Sequence, residues 1–253
     1  MTEYRHSPES KANELIDRLS RALADGINEL TVRRLEQDAR QLMSADVVGA
    51  HTVLGGVAAL RWEAEAVHHH YRIALQHLAT PQTYFNYAVS LDNIEEGEAA
   101  FEAANEAQRR APGDKFLVGY ATVLALQAGH FGAGRRLCAK WNAMVPTEQH
   151  TLTRRLERLG AAAEEGRFSE GAVRRVLATM RTVQKRSRVR GVASGTMEDP
   201  QDPGTFLYEQ HVQISPAEAS ELNEQFVDEL LAKPELMEDP GFRFVAVFVG
   251  VET

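Results

Sequence analysis

The sequence has little cysteine and no long apolar run. Cys138 is the only cysteine among 253 residues, so no disulfide can form within the chain. No apolar stretch approaches the roughly 20 residues that a membrane-spanning helix requires. The first ten residues, MTEYRHSPES, lack the basic start and apolar core of a secretory signal. We therefore expect a cytoplasmic protein in which Cys138 is a buried structural thiol.

The sequence also lacks the motifs of several catalytic classes. It contains neither a Walker loop nor a Gly-x-Gly-x-x-Gly fingerprint, the usual signs of phosphate and dinucleotide binding. No Cys-His-Asn or Ser-His-Asp signature is visible either. From these absences we expect a protein that is not an enzyme and that needs no cofactor.

Charge is distributed unevenly along the chain. Hydrophobic residues make up 43% and charged residues 25%, which is typical of a folded chain rather than a disordered one. The formal net charge is −8, but from Glu198 onward there are 13 acidic residues and two basic ones, Lys233 and Arg243, a local net charge of −11. This change in composition predicts two domains, residues 1–186 and 187–253.

A period of 34 residues organises the middle of the chain. Pro112 and Pro146 lie 34 residues apart, and each closes a pair of helical segments. A fixed period with a helix-turn-helix unit is typical of a repeat solenoid. Glycine-containing turns occur at Gly129-His130-Phe131 and again at Gly166-Arg167-Phe168. Apolar residues at helical spacing predict further helices upstream, at residues 8–24, 31–43, 46–60 and 63–78.

Counting from Pro81 and from Lys115 gives two units in which large, small and apolar residues recur at the same places. In the first unit they are Tyr84, Tyr87, Ala88, Leu91, Ala100, Ala107 and Pro112. In the second unit they are Val118, Ala121, Thr122, Ala125, Gly134, Trp141 and Pro146. The pattern resembles the tetratricopeptide repeat (TPR) family, in which small residues let paired helices approach closely. Trp141 departs from it, since the family has alanine there, and this indicates local repacking or a docking surface. The resemblance covers about residues 46–182 and implies a TPR-like α-solenoid.

The resemblance also implies which residues line the concave groove of the solenoid. These positions are mostly apolar here, whereas family members that grip acidic tails use lysine, arginine and asparagine. An apolar groove suits an apolar helix or extended segment of a protein partner. We therefore expect a non-catalytic adaptor, chaperone or regulatory subunit, unless the chain's own flanking parts fill the groove. The groove positions are Gln82, Phe85, Val89, Asp92, Phe116, Gly119, Val123 and Leu126.

A second candidate contact region is basic. No acidic residue occurs between Gly171 and Met197. Three interpretations are open: a solvated helix face, a contact with the acidic C-terminal unit of the same or another chain, or a salt-dependent contact with nucleic-acid phosphates. The last makes a nucleic-acid-associated regulator the alternative function. The basic residues are Arg174, Arg175, Arg181, Lys185, Arg186, Arg188 and Arg190.

The C-terminal part changes from helical to alternating periodicity. Residues 188–196 and 205–214 predict strands, and Ser215-Pro216-Ala217-Glu218 predicts the capped start of a helix. Phe242–Val251 is apolar at nearly every position, as in a strand that is covered on both faces. The predicted fold is therefore mainly α, a TPR-like α-solenoid followed by a small β-β-α-β unit. Because so small a unit buries little surface alone, we expect it to pack on the helices or to pair with another copy.

Histidines are the remaining candidates for chemistry. His68, His69 and His70 are consecutive on a predicted helix, where their side chains point about 100° apart and cannot converge on one metal ion. We expect no metal site there. His211 shares one side of a predicted strand with Glu209, which leaves an enzyme site in the α/β unit as a third and least favoured function.

Overall fold

The computed structural model describes residues 11–24, 26–202, 204–233 and 243–251. Within these ranges the chain forms ten successive helices and then a strand-strand-helix-strand segment, which confirms the predicted mainly α fold with a C-terminal α/β part. The predicted start of the first helix lies outside the described residues. The elements are α1 (Lys11–Ala24), α2 (Glu29–Leu42), α3 (Val47–Leu60), α4 (Ala64–His77), α5 (Pro81–Asp92), α6 (Gly97–Arg110), α7 (Lys115–Gln127), α8 (Phe131–Met144), α9 (Thr153–Glu164), α10 (Glu170–Ser187), β1 (Gly191–Glu198), β2 (Phe206–Val212), α11 (Pro216–Leu231) and β3 (Phe244–Gly250).

The chain divides into two compact units between Leu117 and Val118. The first unit holds α1 to α6 and the first residues of α7. The second unit holds the rest of α7, helices α8 to α11 and all three strands. The domain boundary predicted between residues 186 and 187 stays a prediction.

The first unit is organised around α3, a helix with little exposed surface. It packs against α1, α2, α4 and α5, and every residue from Gly49 to Leu60 is buried. Small residues make this possible, because a Cβ on Gly55 would lie only 2.5 Å from the Tyr71 ring of α4. The Tyr71 hydroxyl donates to the Thr52 carbonyl of α3 at 3.3 Å and lies 2.9 Å from Ser90 Oγ of α5. Three consecutive helices are thus tied together at one buried ring.

The turns inside the helix pairs share one backbone conformation. Gly129 and Gly166 have left-handed φ angles of 80° and 74°, as their glycine turns predict. Trp62 and Glu95 have the same conformation, with φ of 61° and 59°, in the turns after α3 and α5. The sequence does not reveal these two turns, because only glycine signals a left-handed residue. Their recurrence, and the 34-residue spacing between the starts of α3, α5 and α7, indicate a helical-repeat arrangement.

The second unit contains a three-stranded sheet in the order β1-β2-β3. β1 and β2 are antiparallel, and β2 and β3 are parallel. The predicted alternation along β2 is confirmed. Phe206, Tyr208 and Val212 are buried, whereas Leu207 and His211 are only partly buried. The predicted capping box is confirmed too, because Ser215 Oγ accepts from the Glu218 N–H and the Glu218 carboxylate accepts from the Ser215 N–H. The buried side of the sheet shares one core with the helices, including Phe131, Leu156, Phe168, Met180, Leu222 and Phe226.

The exposure of β3 corrects the sequence prediction. The apolar run Phe242–Val251 predicts a strand covered on both faces, but the described residues cover only one face of β3. Phe244 and Phe248 are buried, whereas Val245 is 51% exposed. Helices α10 and α11 pack on β3, and the Phe226 ring of α11 meets Phe248 with 5.9 Å between centroids. Since these helices cover the Phe244 and Phe248 side, the opposite side chains stay accessible.

Candidate functional site

The accessible side of the sheet presents a small grid of mostly apolar side chains. Met197, Leu207 and Val245 are register partners across the three strands and point to the same side. Met197 is 48% exposed and Leu207 is half-buried. Because adjacent strands lie about 4.8 Å apart, these side chains form an apolar row about 10 Å long. We call the grid the open face; its other two rows are Gly195, Glu209 and Val247, and Ala193, His211 and Val249.

The open face has a polar centre on β2. His211 Nε2 lies 3.4 Å from Glu209 Oε2, and both side chains are about one quarter exposed (28% and 24%). The sequence placed them on the same side of a strand, and the structure confirms this. Next to apolar neighbours, the pair gives the open face a place where a basic or hydrogen-bonding group of a ligand can bind.

Both edges of the sheet carry side chains from helices. On β1, Arg155 of α9 donates from Nη1 to the Ser194 carbonyl at 3.1 Å. On β3, the Asn223 amide of α11 donates to the Phe248 carbonyl at 2.9 Å and accepts from the Phe248 N–H at 2.8 Å. A side chain bound to the backbone of an edge strand hinders pairing with another strand. The open face is therefore more available to a partner than either edge.

Two of the five groove residues predicted in the first unit lie beneath the surface. Phe85 and Val89 have no exposed area, and Gln82 and Asp92 are half-buried. Phe116 is 45% exposed, and its ring meets Phe85 edge-on with 5.3 Å between centroids. A partner at this place would contact Phe116 and would not reach the two buried residues, because Phe116 lies against Phe85.

The groove residues predicted in the second unit are also largely covered. Leu126 is buried, while Gly119 and Val123 are half-buried. A Cβ on Gly119 would lie 3.3 Å from Trp141 Nε1, and the Trp141 ring lies edge-on to His150 with 5.1 Å between centroids. Trp141 therefore lies against a position without a side chain. This is local repacking, one of the two interpretations that the sequence allowed.

The basic run lies at the surface, and one of its residues pairs with the acidic part of the chain. Arg186 of α10 pairs with Glu229 of α11 at 2.8 Å. This contact is of the kind expected if the run binds the acidic C-terminal part of the same chain. Arg174, Arg175, Arg186 and Arg188 are exposed, and Arg181, Lys185 and Arg190 are half-buried.

The consecutive histidines of α4 have separate partners. His68 Nδ1 lies 2.6 Å from the Tyr87 hydroxyl, and its Nε2 lies 3.0 Å from the Glu96 carboxylate. His70 Nδ1 lies 2.9 Å from His51 Nδ1 of α3. A hydrogen bond between two ring nitrogens needs one N–H and one lone pair, so the His51–His70 contact requires that at least one ring be neutral. In the described part of the chain, no three or more His, Cys, Asp or Glu side chains are grouped to hold a metal ion.

Replacing His70 by glutamine is expected to flatten the pH dependence of stability between pH 6.5 and 4. Burial, and then the neighbouring His51, lowers the pKa of His70 to about 4. In the unfolded chain a histidine titrates near 6.5, so between these values the unfolded state binds more protons. The contribution of neutral His70 is therefore present above pH 6.5 and lost as the pH falls toward 4. Urea unfolding at several pH values measures this slope.

The control for this prediction is His69→Gln, which changes the exposed neighbour on the same helix. Its pH slope should stay close to that of the unmodified chain, because His69 lowers the pKa of His70 less than burial and His51 do. An equal slope for the His70→Gln chain and the unmodified chain would show that His70 does not contribute to the pH dependence.

Cys138 is buried, as the sequence predicts. Its Sγ lies 3.2 Å from Thr153 Oγ1, and burial raises the pKa of the thiol. A thiol with a raised pKa is protonated at neutral pH and is a poor nucleophile. The geometry therefore favours a packing role for Cys138.

Fold and surface together define a chain of successive helix pairs that ends in a small sheet with one open face. No helix in the described ranges is both long and apolar enough to cross a membrane. No family model matches the chain, and no curated protein or solved structure shows significant similarity to it. The sequence did not point to the open face, because its only signal was the unbroken apolar run that predicted a fully covered strand.

Proposed function

We propose that this chain is a non-catalytic protein-binding module of the TPR-like kind, acting as an adaptor, chaperone or regulatory subunit. The observation that carries the proposal is the open face, with its apolar row Met197, Leu207 and Val245, of which Met197 and Val245 are about half exposed. Apolar surface in contact with water costs about 25 cal/mol per Å². Contiguous apolar surface rimmed by polar groups is typical of protein interaction sites.

The chemistry of the partner follows from charge. Residues from Glu198 onward carry a net charge of −11, and the centre of the open face holds the Glu209 carboxylate. A complementary partner presents an apolar segment with lysine or arginine beside it. Apolar contacts then supply most of the affinity, while the opposite charges steer the encounter.

The helix pairs fit a structural role in this proposal. Phe85, Val89 and Leu126 are buried, so the apolar positions of the expected groove support the packing of the helices more than the binding of a ligand. Phe116 is an apolar groove position that is exposed instead. We therefore assign the contact surface to the open face instead of the groove.

Val245→Glu is expected to weaken partner binding at least about tenfold, because it buries an unpaired carboxylate at an apolar contact. The matched control is Val227→Glu, which changes a similarly exposed valine on α11 (49%). Quantitative affinity purification from the source cells compares both variants with the unmodified chain. The proposal requires one stoichiometric protein that Val245→Glu loses and Val227→Glu keeps. Equal recovery with both variants would contradict it.

A second candidate function, contact with nucleic-acid phosphates, is favoured by the exposure of Arg174, Arg175 and Arg188. The ion pair between Glu229 and Arg186 of the same run argues against this function. Retention on DNA that falls steeply with salt, and that is lost on Arg174→Gln with Arg175→Gln, would support this function instead.

A further inference from the structure

A small cavity lies where the start of α9 meets β1. Its volume is about 240 Å³, and it is lined by both polar and apolar side chains. Three arginines from two turns of α9 face it together with two threonines. The polar lining residues are Thr151, Arg154, Arg155, Arg158, Thr196 and Glu198, and the apolar ones are Leu159, Met197 and Phe206.

Arg155 is held rigidly in this cavity without a carboxylate partner in the described residues. Its guanidinium donates from Nη1 to the Ser194 carbonyl and from Nη2 to Thr196 Oγ1. Its Nε is buried and has no hydrogen-bond partner. Burial lowers the pKa of this guanidinium, and the only opposing influence is that of Tyr208. A buried charge is ordinarily paired with an opposite charge, and Arg155 has none among the described residues.

The other charged groups at the cavity leave positive charge in excess. Arg158 pairs with Glu198, and the same carboxylate accepts from the Gly204 N–H and lies 3.7 Å from Arg167. Arg154 is exposed and makes no ion pair with any residue in the described ranges. With three arginines and one glutamate, the lining carries a formal charge of +2.

We infer that this cavity binds a phosphate monoester, with the phosphate on Arg154 and Arg155 and its organic substituent against Leu159 and Phe206. The charge of +2 matches a phosphate dianion, and the planar guanidinium fork suits phosphate oxygens. The volume accommodates a phosphate with a small attached group. The inference does not rest on the proposed protein partner, although Met197 borders both this cavity and the open face.

The test is isothermal titration of the full chain with three probes at constant ionic strength: inorganic phosphate, phenyl phosphate and a peptide that contains phosphoserine. Saturable binding is expected, tighter for phenyl phosphate than for inorganic phosphate, because the ring adds apolar contact. Arg154→Gln is expected to weaken binding at least about tenfold, because it removes a charge-assisted hydrogen bond to the phosphate. Because Arg154 is exposed, its loss leaves the fold intact. Arg155→Lys keeps the charge but loses the fork, and should weaken binding as well.

The control is Arg175→Gln, which removes an exposed arginine of α10 outside the cavity. It should bind the probes as the unmodified chain does. Tighter binding of the phosphopeptide than of phenyl phosphate would identify a phosphorylated protein as the source, and the reverse would identify a small molecule. No saturable binding of any probe, or equal weakening by Arg154→Gln and Arg175→Gln, would overturn the inference.

Discussion

Replacing Gly55 by alanine is expected to lower the free energy of unfolding of the first unit by about 1 kcal/mol net. The new methyl group would lie 2.5 Å from Tyr71 Cε2, and Tyr71 has no exposed surface into which its ring could move. Overpacking of this kind costs about 1–3 kcal/mol. The better helix propensity of alanine offsets about 0.5–1 kcal/mol of that cost. The substitution therefore distinguishes the two effects on stability, because overpacking lowers the free energy of unfolding and the helix propensity of alanine raises it.

Fluorescence can follow this substitution in the first unit alone. The chain has two tryptophans, Trp62 in the first unit and Trp141 in the second. In a Trp141→Phe background, urea unfolding of the Gly55→Ala chain reports on Trp62. The same substitution combined with Tyr71→Ala should cost far less, because the ring that it strikes is gone. An equal cost with and without the Tyr71 ring would refute the close contact of α3 with α4.

Replacing Asn223 by alanine is expected to destabilise the second unit by about 2 kcal/mol and to increase self-association. The Asn223 amide binds both the N–H and the carbonyl of Phe248, which leaves two backbone groups without partners when it is removed. The edge strand β3 has the sequence FVAVFVG, with no charge or proline to hinder pairing with another chain. Loss of the amide therefore affects both the stability and the solubility of the chain.

Gln225→Ala is the matched control, because Gln225 is an exposed amide on the same helix. Urea unfolding followed through Trp141 gives the stability, and sedimentation velocity at rising concentration gives the association state. The account requires Asn223→Ala to differ from Gln225→Ala in both measurements. If the two variants behave alike, the amide does not protect the edge of β3.

Much of the helical part could be predicted from local pattern. The spacing of apolar residues and the prolines at 112 and 146 locate the helix pairs, because a helix buries a stripe that repeats every 3.6 residues. The left-handed turns at Trp62 and Glu95 could not be predicted, since a side chain that takes this conformation is held there by the surrounding fold. The capping box at Ser215 was predictable because its hydrogen bonds involve only four consecutive residues.

The candidate site was far less predictable than the fold. The row Met197, Leu207 and Val245 depends on the register of three strands that are separated along the chain, which no local pattern encodes. The apolar run of β3 has the same composition whether one face or both faces are covered. The expected groove residues were taken from positions in the family. Those positions do not show that Phe116 packs against the buried Phe85.

Site-specific photo-crosslinking in the source cells tests whether the open face binds a protein partner. A photoreactive phenylalanine analogue is placed at Val245 in one chain, at Val227 in a second and at Phe116 in a third, since all three side chains are comparably exposed. The account predicts a crosslink to one partner from position 245 only, and its loss when Leu207→Arg is added. A crosslink to a partner from position 116 but not from 245 would contradict the open face and restore the groove.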